Sequence, residues 1–492
     1  MLALVLAGPF VLAFFSGGYF DAPRLTAAIV AWAAVGVVAV AGRQPLPATA
    51  PGRVAVAALA GLAAWTIAAG AWAPVAETAG DDAGRLLLYF AAFLAAAAVA
   101  HDRWARDALT PALAGGCLAV VGYGLAGRLL PWLGAQDASV SAVGRLEQPL
   151  TYWNAVGLLA AIGVVACVAL AGEPERPRRV RTAALPAAAA LGVGVHLSFS
   201  RGALAALAVG LVAAALLARG RATARAVAVV VPAGVAVSVA ASLLDGVRTG
   251  NGTLADRSLQ GAVVLAVLAA AGALAARCGR WVVAGEDRDA PRLLGARPRW
   301  AAVPLAVLAA AAIVLVVAGD RGPAAGSPET GATSRRLGSA DSNRYAYWRV
   351  AAGAFADAPL RSGGAGSFEV AWYRERPIDE PARDAHSLPL ETAAELGLVG
   401  LALLGILAAA VAMAAVRARR LRPGRAAAPA AIVLTWAVHA AIDWDWEMPA
   451  VTLPALTAAA ALVAWGGPRR VTRGARRGWS GHTPAVSWHS RS

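Results

Sequence analysis

The side chains best suited to chemistry in this 492-residue chain lie between Asp341 and Gly400, the one long polar interruption in an otherwise apolar, arginine-punctuated sequence. This stretch carries arginines, aromatic residues, a glycine-rich turn and a single histidine, His386, set just before a new apolar run. A histidine titrates near neutrality, so His386 can act as base or acid. A helix N-terminus behind it would favour the neutral ring, which suits a base. The competing reading is a loop histidine that only hydrogen-bonds backbone. Transport sites usually lie between helices near the bilayer midplane, so a polar loop hung between spans points instead to a reaction at the membrane surface.

Arginines supply the complementary charge. Arg201, in Leu197-Ser-Phe-Ser-Arg-Gly-Ala203, has almost no loop around it. In hydrocarbon such a residue needs an anion or a cavity, unless it snorkels to headgroups. Arg145, in Gly144-Arg-Leu-Glu-Gln-Pro-Leu-Thr-Tyr-Trp-Asn154, falls on the same face, and Arg344 and Arg349 form a third group with Tyr345, Tyr347 and Trp348. Three converging arginine positions would hold a diphosphate, because the guanidinium fork matches phosphate oxygens and keeps its charge. A leaving lipid diphosphate could then be stabilised without a metal. The other reading, equally open on spacing, pairs Arg344 and Arg349 with Asp341, Asp357 or lipid phosphates.

Other motifs read more plainly. Gly363-Gly-Ala-Gly366 lacks the Lys-Ser/Thr of a phosphate loop and reads as a turn. Asp443-Trp-Asp-Trp-Glu447 reads as an aromatic belt at a helix end, in preference to a sugar-stacking or cation site. His196 and His439 fall inside apolar runs and read as packed polar residues. Asn251-Gly-Thr253 is a weak glycosylation sequon. Cys117, Cys167 and Cys278 have neither zinc nor redox spacing, and no metal or cofactor is expected.

The elements that must position these residues are transmembrane helices. The chain is 59% hydrophobic and only 15% charged, with a mean hydropathy of +0.60, where a soluble chain carries roughly 25% charged residues. Apolar runs long enough to cross the bilayer fall near 1–19, 25–42, 54–72, 85–100, 108–133, 151–172, 182–199, 203–218, 226–243, 259–276, 300–318, 391–416, 426–443 and 450–466. This predicts an all-α polytopic membrane protein of about 14 helices. Residues 1–318 would form helices 1–11, 319–390 a large helical loop carrying part of the site, 391–466 helices 12–14, and 467–492 a basic, disordered tail.

The formal charge of +15 comes from arginine alone, since the chain has no lysine. Most of the arginines collect in alternate loops (Arg43–Arg53, His101–Asp107, Glu173–Arg181, Arg219–Arg225, Arg277–Arg299, Arg417–Arg425) and in the tail. Arginine bias in short loops sets orientation, which predicts both termini in the cytoplasm and the 319–390 loop outside. The same distribution argues against a nucleic-acid partner, whose footprint would be one basic patch. The N-terminus has no basic leader region, so the first span is expected to stay in place. No internal repeat of the inverted-transporter kind is evident.

Within the loop, 319–339 is Gly/Pro/Ser/Thr-rich and reads as flexible. Residues 343–355 have helical spacing with Tyr347, Val350, Ala351 and Ala354 on one side, 358–367 is a turn, and 368–374 a short aromatic helix.

The ordered set Arg145…Asn154, Ser198-Phe-Ser-Arg-Gly202, Asn343-Arg-Tyr-Ala-Tyr-Trp348, Pro359-Leu-Arg-Ser-Gly-Gly-Ala-Gly366, Ala385-His386 and Glu395-Leu-Gly-Leu-Val-Gly400 resembles the O-antigen ligase and Wzy-type polysaccharide polymerase superfamily, over roughly residues 140–415. The resemblance implies a GT-C-like fold in the bacterial plasma membrane. It also implies inverting, metal-independent transfer of glycan from an undecaprenyl-diphosphate carrier to an acceptor hydroxyl on the outer face. Carried over by position, Arg201 and Arg344 match the diphosphate-holding arginines and His386 the base or orienter. Arg145 and Asn154 match an upstream motif, and Arg349 and Glu391 are secondary members. Two features depart from the pattern: Ser387 stands where Asn is usual, and the span count exceeds the usual dozen, with the extra pair in 226–318. A polymerase is the leading expectation. Ligase-type transfer of a finished glycan to a lipid, protein or wall acceptor is the alternative, and a flippase or transporter for lipid-linked sugars is the alternative of another class.

Overall fold

The computed structural model describes residues 1–41, 46–134, 139–218, 221–283, 332 and 342–466. Helices follow in the order α1 (Leu2–Leu12), α2 (Asp21–Val40), α3 (Ala50–Ala69), α4 (Ala76–Val99), α5 (Arg103–Leu129), α6 (Trp153–Gly172), α7 (Arg178–Leu197), α8 (Arg201–Leu217), α9 (Ala222–Ser242), α10 (Asp245–Arg248) and α11 (Leu254–Val283). After them come α12 (Arg344–Asp357), α13 (Phe368–Glu375), α14 (Leu388–Leu421), α15 (Pro423–Ala440) and α16 (Pro449–Trp465). Among the described residues there is no strand, and nine helices are long and apolar enough to cross a membrane. Helices α1, α8 and α16 are apolar but shorter. Each apolar run read from the sequence forms a helix, except 300–318, which lies outside the described residues, as do the 319–331 and 333–341 parts of the loop and the tail.

Helix α6 is the axis of the bundle. It is almost wholly buried and packs against α5, α7, α8, α9 and α15. Its Ala, Gly and Val surface allows close approach, since backbones packed in lipid meet best through small residues. A Cβ at Gly157 would lie 2.5 Å from Ser198 Oγ, and one at Gly163 2.7 Å from Cys117 Cβ. A second group, α2, α3, α4, α14 and α16, packs alongside.

Three of the arginine-rich loops, at 101–107, 173–181 and 417–425, meet at one end of the bundle. There Arg425 pairs with Asp107 and Glu175, and Arg176 with Glu173. The other end carries the candidate site, where the start of α4 pairs with the segment around Arg383 and with the α15–α16 turn.

The segment 342–387 forms a cap at the site end. Its core is Tyr347, Val350, Ala351, Phe368, Trp372, Ala382 and Ala385, closed against Ala394 of α14. Trp372 donates from Nε1 to the Glu380 carbonyl at 2.7 Å. The predicted elements at 343–355 and 368–374 are present as α12 and α13, each extended by a residue or two.

The cap is fastened through a break in α14. At Gly397 the backbone takes φ 63°, ψ −160°, a region open to glycine and almost nothing else. The break frees Ala394 and Glu395 carbonyls, which accept from the amides of Gly363 (3.4 Å) and Gly364 (2.9 Å), while Leu398 N–H donates to the Pro359 carbonyl at 2.8 Å. The Gly-rich turn of the sequence is therefore a docking strip. Gly364, at φ 96°, also lies so close to the α3–α4 connection that a Cβ would meet Ala73 Cα at 2.8 Å.

A Cβ at position 397 would lie 2.4 Å from the Leu360 carbonyl oxygen, a backbone atom that cannot swing away. Gly397→Ala is expected to cost about 1–3 kcal/mol from backbone strain. A lowered unfolding temperature in detergent, together with faster proteolysis of 342–387 than of the bundle, is the expected outcome; unchanged proteolysis would count against the docking role.

Candidate functional site

The site is built around Asp443, which is completely buried in the turn between α15 and α16. Its Oδ1 accepts from the Tyr152 hydroxyl at 2.8 Å and the Trp444 amide at 2.9 Å. Its Oδ2 accepts from Asn154 Nδ2 at 2.8 Å and from a terminal nitrogen of Arg344. Asn154 also donates to the Tyr152 hydroxyl at 2.7 Å. Three chain segments far apart in sequence thus converge: the start of α6, the start of α12 and the α15–α16 turn. Burial works against the ionised carboxyl, yet Arg344, with the nearby histidines and the Tyr152 hydroxyl, holds Asp443 below the usual carboxylate range.

His386 reaches this centre from the end of the cap. It stands at φ 54°, a left-handed conformation that costs a non-glycine residue roughly 1–2 kcal/mol. Contacts on several sides hold it there. Its Nδ1–H donates to the Asp384 carbonyl at 3.0 Å, its ring lies against Tyr347 with centroids 4.9 Å apart, and Trp348 Nε1 donates to its carbonyl at 3.4 Å. A carbonyl can only accept, so the proton sits on Nδ1 and the lone pair on Nε2. Burial brings its pKa down to about 4, with Arg344 acting in the same direction and Asp443 opposing. Burial, not the helix behind it, therefore keeps His386 neutral at pH 7 and makes it a weak base.

Arg201 is the first residue of α8, whose cap is Ser200, accepting from Ala203 N–H at 3.1 Å. A sharp corner at Phe199, φ 49° and buried, delivers the chain there. A Cβ at Gly202 would lie 3.1 Å from His439 Nε2, so Arg201's helix lies directly against α15. His439 and Asp445 are both completely buried, with Nδ1 and Oδ1 3.1 Å apart. Among the described residues, His439 Nε2 and Asp445 Oδ2 have no hydrogen-bond partner. His439 is thus a packed polar residue, as its apolar run predicts, but one facing the functional centre.

Arg145 is held within its own turn. Its guanidinium donates to the carbonyls of Ala142 (2.7 Å) and Ser141 (2.8 Å) and stacks over Trp153 at 3.5 Å. It shapes the turn leading into Tyr152 and Asn154, helped by Arg128, which donates to the carbonyls of Gly144, Val247 and Arg248. Arg349 is exposed, a little over a third of a turn round α12 from Arg344. Arg344 itself pairs with Asp443; Asp341, one of the acids expected for it, lies outside the described residues.

Glu391 belongs to a second buried cluster beneath the cap. Its Oε2 accepts from the Ala385 amide at 2.9 Å. The carboxylate oxygens of Asp384, Glu391 and Glu447 lie within 4.8 Å of one another. This oxygen set could hold a hard cation, but Arg85 is already there, 2.8 Å from Glu447 and 2.8 Å from Asp82. Burial and the neighbouring Glu447 push the Asp384 carboxyl well above its ordinary pKa. Beside this cluster Asp81 binds Arg24 at 2.6 Å and Arg383 at 3.0 Å. Together these pairs tie the His386 strand to α2, α4 and α14.

The Asp443–Glu447 stretch is the part sequence reasoning missed. A belt of tryptophans accounts for its rings but not for three carboxylates in five residues, and that surplus of acid beside apolar spans was the available signal.

Breaking a buried ion pair strands the remaining charge, at about 3–5 kcal/mol. Asp443→Asn and Arg344→Gln should each lower the unfolding temperature, and the double variant should lower it by clearly less than the sum. Additive shifts would mean that the two side chains do not depend on each other.

No curated protein matches the chain. A family model described as O-antigen ligase does match, and the stretch it covers includes Arg344, Arg349, His386 and Glu391 but not Arg145, Asn154 or Arg201. The match spans residues 252–405, under a third of the chain, and supports the resemblance to the O-antigen ligase and Wzy-type superfamily.

Proposed function

We propose that this protein is a membrane glycosyltransferase of GT-C-like arrangement that transfers glycan from a polyprenyl (undecaprenyl) diphosphate to an acceptor hydroxyl at the outer face of a bacterial plasma membrane. Both termini would lie in the cytoplasm. The observation that carries this reading is the meeting of Arg344 and His386 around the buried Asp443, with Arg201's helix packed against His439 next door.

In the proposed reaction the acceptor oxygen attacks the anomeric carbon from the face opposite the diphosphate. The glycosidic C–O bond to phosphate breaks, and its electron pair leaves on the diphosphate oxygen. The hydroxyl proton passes to His386 Nε2. Arg344, bound to Asp443 through one terminal nitrogen, would turn N–H donors to the leaving group, with Arg201 as the second cation. Charge stabilisation of this kind typically accounts for a factor of about 10²–10³ per donor group. His386, with its low pKa, contributes more as an acceptor that orients the hydroxyl than as a strong base. An incoming diphosphate would draw Arg344's field away from the imidazole and strengthen it as a base during turnover.

Polymerase and ligase share this donor chemistry. The match to a model described as O-antigen ligase favours ligase-type transfer as the second reading, and the acceptor requirement separates the two.

Purified protein supplied with polyprenyl-diphosphate oligosaccharide in EDTA should give a ladder of longer lipid-linked chains if it polymerises, or single transfer on addition of acceptor if it ligates. Arg344→Ala and His386→Ala should each lose about 10²-fold or more, and Arg344→Lys should fail to restore the rate, since the fork is lost. Full activity in either alanine variant would overturn the assigned roles. For pH, a histidine with a pKa near 4 in the folded state stays neutral from pH 7 down to about pH 5. The limb of kcat/KM that it controls should therefore lie near pH 4, not 6.5, with the corresponding limb of kcat displaced upward.

A further inference from the structure

A slot of about 540 Å³ opens between α1, α2, α4 and α16, walled by Leu12, Phe15, Pro23, Ala31, Leu88 and Leu453 among others. We propose that this slot holds the isoprenoid chain of the lipid diphosphate donor, an assignment that rests on the glycosyl-transfer reading above.

The lining fits a bare hydrocarbon and little else. Among the described residues its only hydroxyls are those of Thr26 and Thr457, and Thr26 already donates to the Ala22 carbonyl at 2.7 Å. A sugar or headgroup would lose its hydrogen bonds there, at a cost of several kcal/mol. The shape fits a long chain. Along α2 the lining runs from Ala22 to Ala34, roughly 18 Å at 1.5 Å per residue. Small residues (Ala27, Ala31 and Ala34 facing Ala92 and Ala95) give it depth.

Its position names the occupant. The slot begins at the α1–α2 corner, at the site end of the bundle. There the Tyr19 ring meets Trp444 at 5.2 Å, Trp444 meets Tyr152 at 4.6 Å, and Tyr152 donates to Asp443, the partner of Arg344. Arg24 and Arg383 flank the same corner on Asp81. A chain lying in the slot would thus have its polar end at the corner, from which these contacts lead on to Arg344. Phospholipid acyl chains share the chemistry of the slot but not this route to Arg344.

The test fills the slot with Ala31→Phe and Ala92→Phe and compares two donors bearing the same glycan, one on a long polyprenyl diphosphate and one on a short, water-soluble prenyl diphosphate. The expected result is a loss of about tenfold or more on the long donor with the short donor unchanged. Equal rates on both donors, or an equal loss on both, would overturn the assignment.

A second measurement does not depend on how well the filled variant folds. A photoreactive residue placed at Ala27 of the full chain, in phosphatidylethanolamine vesicles containing radiolabelled polyprenyl diphosphate, should capture the polyprenyl label. Capture of phospholipid alone would overturn the proposal. If the native protein transferred from neither donor, glycosyl transfer itself would fail, and the photocapture would still decide what occupies the slot.

Discussion

The arrangement of the site depends on one buried carboxylate. Asp443 is inaccessible to water, so its ionised form must be matched inside the protein, and it is matched by groups from three places in the sequence: Tyr152 and Asn154 at the start of α6, the Trp444 amide in its own turn, and Arg344 at the start of α12. Removing any one of them leaves a deficit that water cannot fill. The requirement fixes where the cap sits on the bundle, because the cap brings the cation. It also holds Arg344 in place, because a terminal nitrogen of the guanidinium is bound by Asp443.

A buried pair such as this rarely adds net stability over a well-packed apolar substitute, and here it is one of several. Arg85 with Glu447 and Asp82, Arg24 and Arg383 with Asp81, and His439 with Asp445 all lie at the same end of the bundle. Elsewhere the core is Ala, Val, Leu and Gly packed closely around α6. Polar interactions in a membrane protein specify position more than they add stability, and these specify the cap, the strand of His386 and the first turn of α8. The break at Gly397 complements them: it converts two helix carbonyls into acceptors for the Gly363 and Gly364 amides and gives the cap a second, backbone-based attachment.

Much of this was legible in the sequence, for identifiable reasons. Apolar runs report helices directly, because a segment crossing lipid must satisfy its own backbone, and even the short helices α12 and α13 showed in their aromatic spacing. His386 and Arg344 stood out because they lie in a polar loop hung between apolar spans, where charged and titratable side chains have water, substrate or each other to meet. The partners were not legible. Nothing local to Arg344 indicates that a carboxylate about a hundred residues on, at Asp443, is its partner; acids close by in sequence were the natural candidates. Arg145 shows the converse. Its type and neighbourhood suggested anion binding, but the free carbonyls of its own turn and the face of Trp153 lie closer. Gly363-Gly-Ala-Gly366 read correctly as a turn, but its use as a docking strip depends on a break in a helix thirty residues away.

The opposing needs of the proposed chemistry meet at Asp443. A leaving diphosphate calls for concentrated positive charge, whereas a histidine that accepts a proton must not be suppressed by that charge. Arg344 and His386 are close enough for the arginine to help lower the imidazole pKa, which taken alone would make a poor pair. Asp443 lies between them electrostatically. It opposes Arg344's effect on His386 while holding the guanidinium in place, so the resting site is near balance. In the proposed reaction a dianionic diphosphate would take up the part of Arg344's charge that Asp443 does not, and the imidazole beside it would become more basic as the donor arrived. The buried carboxylate is thus what allows a cation and a base to share one small centre, with substrate binding itself supplying the bias between them.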